Sequence, residues 1–164
     1  MFRFIGKIRS GKGKHSELII PGTADLNHAP TAWPDRFHPG SLNVGILKDG
    51  YPEGFMDPDE GGRGVSLLDD GVIEPAVVLA WDRIGNNGLR PKAGKPRRGT
   101  GQFWPAVITV MATGSTADCW LFRRINSRIK RQLEIVSSLH LKTHLSLEDG
   151  MDASVDVYGR REKD

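Results

Sequence analysis

Two polar residues, Ser41 and Asn43, have the types and spacing of a small oxygen-rich metal site. They alternate with Leu42 and Val44, so a strand here places the polar side chains on one face and the apolar ones on the other. Hydroxyl and amide oxygens suit hydrated Mg²⁺, which takes few protein ligands and is often bound together with phosphate groups. We therefore predict Ser41 and Asn43 as metal ligands and Mg²⁺ as the cofactor.

A segment rich in glycine and lysine near the amino terminus has the composition of a phosphate-binding loop. Glycine permits a tight turn and close approach of backbone N–H groups to phosphate oxygens, while lysine adds positive charge. From composition alone a plain hairpin turn is the favoured interpretation and phosphate binding is the alternative. The residues predicted to bind nucleotide here are Gly11, Lys12, Gly13, Lys14, His15 and Ser16.

The elements that must position these groups are short strands separated by Gly, Pro, Asp and Asn. Many short strands with one small helix near 138–145 predict a mainly β fold, a single compact barrel domain spanning 1–164. A long surface insertion is expected within about 48–102. The predicted strands are Phe2–Arg9, Glu17–Ile20, Leu42–Leu47, Ile73–Trp81, Phe103–Met111, Asp118–Phe122, Leu133–Val136 and Ala153–Tyr158.

Composition limits the class of protein. The chain has 164 residues, 38% hydrophobic and 26% charged, with a formal net charge of +3, which is typical of a globular domain. The mild positive charge suits an anionic ligand without requiring one. The single Cys119 lies in an apolar run and is expected in the core, so a reducing cytoplasm is the expected location. We see no signal peptide and no apolar run long enough to span a membrane.

Five motifs in order resemble the CTP-dependent riboflavin kinases best known from archaea, over nearly the whole chain. The family patterns are G-x-V-x-S-G-x-G-x-G, P-G-T-L-N, Y-P-A-x-I, L-E-I-I-A-P-x-x-L-R and L-x-D-G-D. Their counterparts here are Gly6–Lys14, Pro39–Asn43, Trp104–Ile108, Leu133–Lys142 and Leu147–Gly150.

The resemblance implies a cradle-loop barrel that transfers the γ-phosphoryl group of CTP to the ribityl 5′-hydroxyl of riboflavin, making FMN. It favours phosphate binding over a plain hairpin turn for residues 11–16, and it adds Leu139, His140, Leu141 and Lys142 to the nucleotide site. It also implies flavin contacts from Asn126, Ser127 and Glu134, although alternation alone favours a solvated Glu134. No general base identifies itself, and phosphoryl transfer depends mainly on positioning and charge neutralisation. The partners implied are the two substrates; a nucleic acid is not expected.

The chain departs from the family pattern at several positions. His15 replaces a glycine of the loop, Ser41 replaces threonine and Lys142 replaces arginine, which loses the planar fork. Ser137 and Ser138 replace Ala-Pro, and Met151 replaces the last aspartate of L-x-D-G-D.

These departures keep two alternatives open. One is a kinase of the same fold that acts on a different small alcohol or uses a different nucleotide. The other is a non-enzymatic barrel that binds nucleic acid or regulates, using the basic clusters 90–98 and 123–131 on phosphates.

Two further groups have weaker functional interpretations. Trp33 precedes the predicted metal motif and is the tryptophan best placed to stack on a flavin ring. His140 and His144 have the i, i+4 spacing of zinc ligands, but no third ligand is evident and a surface role is favoured.

Overall fold

The structure is a computed structural model and describes residues 1–9, 18–86 and 99–160. Within these ranges the chain forms nine strands and one α-helix. They are β1 (Phe2–Arg9), β2 (Leu18–Ile19), β3 (Leu42–Ile46), β4 (Val77–Leu79), β5 (Gly85–Asn86), β6 (Gly101–Val110), β7 (Thr116–Arg124), β8 (Gln132–Val136), α1 (Leu141–His144) and β9 (Asp152–Val157). Short 3-10 helices occupy Thr23–Asp25, Pro58–Glu60, Gly64–Asp70 and Trp81–Arg83.

Six strands close into an antiparallel barrel in the order β6-β7-β8-β3-β1-β9, and β9 pairs back with β6. Closure satisfies the backbone hydrogen bonds that an open sheet leaves unpaired at its edges. β4 extends the sheet by pairing with the start of β6, and β2 pairs with β5 in a separate two-stranded sheet. The predicted mainly β barrel with one short helix is therefore confirmed.

The strands are apolar on one face or on both, according to what covers them. The main core contains alternate residues of every barrel strand, among them Phe4, Val44 and Trp104. β6 and β7 are buried on both faces, because Phe103 and Trp120 point the other way into a second apolar cluster. This double burial explains the nearly continuous apolar sequence of these two strands.

The second cluster contains the tryptophan that the sequence suggested as a flavin platform. Trp33 is 3% exposed, its ring contacts Phe37 and Phe103 at centroid distances of 4.8 and 5.1 Å, and its Nε1 donates to the Pro21 carbonyl oxygen at 3.1 Å. The expected ring-stacking role is wrong, because a ring packed on these neighbours has no free face for a ligand. Cys119 is buried, as predicted.

Two element predictions change in extent. The strand expected over Ile73–Trp81 is confined to β4, since Pro75 has no amide hydrogen for a ladder and the Ile73 carbonyl oxygen accepts from Trp104 Nε1 at 3.0 Å. The helix is the single turn α1 rather than 138–145. Leu139, which falls within the predicted helix, is 41% exposed, because it precedes α1 in a turn where its N–H donates to Ser137 Oγ.

Part of the stretch 48–102 packs on the barrel. Phe55, Val65 and Leu68 are each 1% exposed or less and belong to the main core cluster. The Phe55 ring makes edge contacts with Phe2 and Phe4 at 4.9 and 5.2 Å. The expectation of a surface insertion is therefore wrong for this part of the stretch, because these side chains are buried in the main core.

Candidate functional site

The outer face of the barrel carries a row of polar side chains across three strands. In the antiparallel register Arg9 of β1 lies opposite Asn43 of β3, and Asn43 lies opposite Glu134 of β8. Directly opposed residues share a face of the sheet. Ser41, two residues from Asn43, is on that face as well, and its Oγ donates to Glu134 Oε1 at 2.9 Å. The predicted metal ligands and the predicted flavin carboxylate therefore form one cluster.

A cleft of about 560 Å³, here called the loop cleft, lies beside the loop 125–129 that follows β7. Asn126, Ser127 and Glu134, the three residues predicted to contact flavin, all line it. Its apolar walls are Leu18, Val65, Leu121, Phe122, Ile125 and Ile129. Arg123, Arg124 and Gln132 line it as well. The cleft therefore combines apolar walls with polar groups, as sites for small organic ligands do.

A second cleft of about 380 Å³, here called the helix cleft, lies where the Pro39–Ser41 turn meets the segment before α1. Ser41 lines it, and so do all four residues predicted for the nucleotide at this end of the chain: Leu139, His140, Leu141 and Lys142. The turn is held by two backbone bonds, since His38 N–H donates to the Ser137 carbonyl oxygen and Gly40 N–H donates to that of Leu18. Gly40 has a φ of 95°, which favours glycine.

The two clefts meet at the Ser41–Glu134 hydrogen bond. Ser41 lines the helix cleft and Glu134 lines the loop cleft, while their side-chain oxygens are 2.9 Å apart. Ligands bound in the two clefts would therefore approach each other at this bond. Asn43 is half-buried between Arg9 and Glu134 and is not among the residues that line either cleft.

Positively charged and titratable side chains gather in the helix cleft. Arg9, His38, His140 and Lys142 line it, and no acidic residue is among its described lining residues. The His38 and His140 rings stack with centroids 4.7 Å apart, and Lys142 Nζ also contacts Asp149 Oδ1 at 2.9 Å. This arrangement suits an anionic ligand such as a phosphate chain.

Sequence reasoning missed Arg9 and His38 as members of this cleft. The signal was present for both, since Arg9 ends the first predicted strand just before the glycine-rich segment and His38 adjoins Pro39. What the sequence lacks is the register that lays Arg9 across β3, where its guanidinium group lies over Gly45. A side chain at position 45 would collide with that group.

The predicted phosphate loop, residues 11–16, lies outside the described residues. The described residues on either side of the gap are Arg9 and Leu18. Arg9 lines the helix cleft and Leu18 lines the loop cleft.

The donor set around Ser41 fits Mg²⁺ better than a transition metal. Ser41, Asn43 and Glu134 offer hydroxyl, amide and carboxylate oxygens, the ligand types that Mg²⁺ prefers. No group of three His, Cys, Asp or Glu side chains able to hold a metal occurs in the described parts of the chain. His140, the first residue of the i, i+4 pair, contacts Thr143 Oγ1 through Nδ1 at 2.6 Å.

The hydroxyl of Tyr51, which packs against the main core, stays protonated at physiological pH. Burial, reinforced by the nearby Asp57, raises the pKa of Tyr51 to about 12. Its hydroxyl therefore remains a donor, and it donates to the Lys130 carbonyl oxygen at 3.3 Å.

Compared with known proteins, the chain matches no protein-family model and no curated sequence. Among the described residues, no helix has the length and apolar character needed to cross a lipid bilayer.

Proposed function

We propose that this protein is a riboflavin kinase of the CTP-dependent type, transferring the γ-phosphoryl group of CTP to the 5′-hydroxyl of riboflavin. The observation that supports the proposal is that residues predicted from the family resemblance and residues predicted from the alternation around Ser41 line two adjoining clefts. The predicted flavin residues line the loop cleft, the described part of the predicted nucleotide residues lines the helix cleft, and Ser41 and Glu134 join the two clefts.

The loop cleft supplies what a flavin ring requires. Its apolar walls would cover the ring faces, while Asn126, Gln132 and Glu134 offer polar atoms to the ring edge and the ribityl hydroxyls. Glu134 is positioned by the hydrogen bond from Ser41. A carboxylate held in place accepts a ligand hydroxyl or N–H at a smaller entropic cost than a mobile one.

The helix cleft supplies positive charge for the nucleotide phosphates. Arg9 and Lys142 carry charged side chains there, and the stacked His38 and His140 rings add further nitrogen donors. Residues that hold the phosphate chain in line with the ribityl hydroxyl make the transfer effectively intramolecular. Mg²⁺ held by Ser41 and Asn43 would supply neutralisation of the charge on the transferring phosphoryl group. As the ribityl 5′-oxygen bonds to the γ-phosphorus, the bond from that phosphorus to the β,γ-bridging oxygen breaks and CDP leaves. The hydroxyl proton passes to solvent, giving FMN.

The charges of one basic cluster are partly neutralised within the fold, which weakens the nucleic-acid alternative. Arg123 is buried against Asp69, and Arg131 pairs with Asp59. Both guanidinium groups are thus less available to phosphates of a nucleic acid. The cluster 90–98 lies outside the described residues.

Glu134→Gln tests the flavin site. The substitution keeps the shape and one carbonyl acceptor but removes the charge, so we expect riboflavin binding to weaken by roughly 1–3 kcal/mol, the range for a charge-assisted hydrogen bond. Quenching of flavin fluorescence on titration measures the affinity. Glu53→Gln, at an exposed position, is the matched control and should leave the titration unchanged. Overlapping curves for the Glu134 variant and the wild type would mean that this carboxylate does not contact flavin.

The salt dependence of binding separates the enzyme from a nucleic-acid-binding module. Riboflavin is uncharged, so its affinity should change little when salt rises from 50 to 200 mM. Binding to a mixed-sequence RNA or DNA through several phosphate contacts would fall by orders of magnitude over about the same range. Tight, strongly salt-dependent nucleic-acid binding together with no flavin quenching would favour the binding module over the kinase.

A further inference from the structure

A buried ion pair joins the 3-10 helix Gly64–Asp70 to the end of β7. The side chains of Asp69 and Arg123 are 7% and 4% exposed, and two bonds connect them, from Arg123 Nε to Oδ1 and from Nη2 to Oδ2, each at 3.1 Å. Gln102 Nε2 also donates to Asp69 Oδ1 at 3.0 Å. Two charges are buried at low cost only when their remaining donors and acceptors are bonded as well.

Those remaining bonds go to the loop that borders the loop cleft. Arg123 donates from Nη2 to the Ser127 carbonyl oxygen at 2.9 Å and from Nη1 to that of Ile129 at 2.5 Å. Asp69 Oδ2 accepts from the Asn126 N–H at 3.1 Å. Asn126 has a φ of 61°, a conformation that non-glycine residues seldom adopt without support. Three backbone groups of the loop are therefore hydrogen-bonded to one ion pair, and Arg123 of that pair also lines the loop cleft.

The 3-10 helix Gly64–Asp70, which carries Asp69, also contacts the chain directly after the loop 125–129. Val65 N–H donates to the Lys130 carbonyl oxygen at 2.9 Å, and Val65 also lines the loop cleft. Gly64 has a φ of 55°, and a Cβ built on it would lie 2.2 Å from the same Lys130 oxygen. The close approach requires glycine here, so this helix is a wall of the cleft and not a separate surface loop.

We propose that Asp69 and Arg123 are positioning residues for the ligand of the loop cleft. They act through the backbone of 125–129, holding Asn126 and Ser127 toward the ligand. The inference rests on the proposed function for the identity of that ligand, riboflavin. It also assigns a function to part of the stretch 48–102, because the 3-10 helix Gly64–Asp70 supplies the Asp69 carboxylate that positions the loop 125–129.

The test uses the double variant Asp69→Asn/Arg123→Met, which removes both charges together. Neutral replacement of a buried pair leaves no charge unpaired and tends to preserve stability, but it removes the fork that holds the two loop carbonyls. We expect an unfolding midpoint close to that of the wild type. KM for riboflavin should rise roughly tenfold or more, while KM for CTP stays within about twofold.

Arg63→Gln is the matched control. It breaks the exposed ion pair with Asp70 at the end of the same 3-10 helix without touching the loop, so both KM values should stay at the wild-type level. If the double variant does not fold, Arg123→Lys replaces it, because lysine keeps the charge but loses the fork to the two carbonyl oxygens.

Two outcomes would overturn the inference in an active enzyme. One is a folded double variant with the wild-type KM for riboflavin, and the other is an equal rise in both KM values, which indicates general loosening. A wild-type protein that makes no FMN would instead overturn the proposed function. Hydrogen exchange of the 125–129 amides then decides the positioning role: faster exchange in the double variant than in Arg63→Gln supports it, and equal exchange refutes it.

Discussion

Phe55→Ala should destabilise the protein by about 3–5 kcal/mol, the range for removing a buried phenylalanine side chain. Phe55 is 1% exposed and packs edge-on against Phe2 and Phe4 of β1. Its loss leaves a cavity in the main core that the barrel strands cannot close, since their spacing is fixed by the ladder hydrogen bonds. Chemical denaturation followed by tryptophan fluorescence gives the free energy of unfolding.

The neighbouring Met56 provides the control for this change. It is 54% exposed, so Met56→Ala should alter the free energy of unfolding by less than about 0.5 kcal/mol. If Phe55→Ala lowers the free energy of unfolding as little as Met56→Ala does, the burial of Phe55 against β1 is contradicted. The stretch 48–102 then behaves as the surface insertion that its composition suggests.

Ser41→Ala and Asn43→Ala should each lower turnover by roughly tenfold or more, equivalent to about 1.4 kcal/mol of transition-state stabilisation. Each removes one oxygen from the proposed Mg²⁺ site. Stability should hardly change, because both side chains lie on the outer face of β3, away from Leu42 and Val44 in the core. Initial rates of FMN formation across a Mg²⁺ titration measure the effect, and the Mg²⁺ concentration for half-maximal rate should rise.

Ser115→Ala, at an exposed position in the β6–β7 hairpin, is the control for the loss of a hydroxyl group elsewhere. Its rate and Mg²⁺ dependence should match those of the wild type. Full activity of both the Ser41 and Asn43 variants would rule out these residues as metal ligands.

Most strands of the barrel could be predicted because alternation and turn residues are local signals. β1 has the predicted bounds, and β3, β6, β7, β8 and β9 differ from prediction by one or two residues at their ends. Barrel closure between β6 and β9 depends on pairing across the chain, and only the number of short strands indicated it. β5 is two residues long and has no periodic pattern to detect.

The errors share one physical cause, which is that local patterns do not say what covers a residue. Trp33 lies in a Pro- and His-rich run that suggests a surface loop, yet the outer face of β6 and β7 is apolar and buries it. Leu139 lies within 138–145, where the spacing of leucines predicts a helix, but the helix starts at Leu141 and leaves Leu139 exposed at the helix cleft.

The candidate site was predictable in its parts and not in its assembly. Alternation places Ser41 and Asn43 on one face, and the structure has them so. The hydrogen bond from Ser41 to Glu134 spans 93 residues of sequence and depends on the β3–β8 register, which no spacing reveals. Asp69 and Arg123 gave no signal beyond their charge, since a buried ion pair is recognisable only from its packing.

The direct test of the kinase is incubation of the pure protein with riboflavin and Mg²⁺, with CTP or ATP added separately, and chromatography of the flavins. We expect FMN with CTP, stoichiometric formation of CDP, and loss of product when Mg²⁺ is chelated. Formation of FMN in the incubation with ATP but not in the incubation with CTP would contradict the nucleotide assignment. Riboflavin recovered unchanged with either nucleotide would contradict the proposed function.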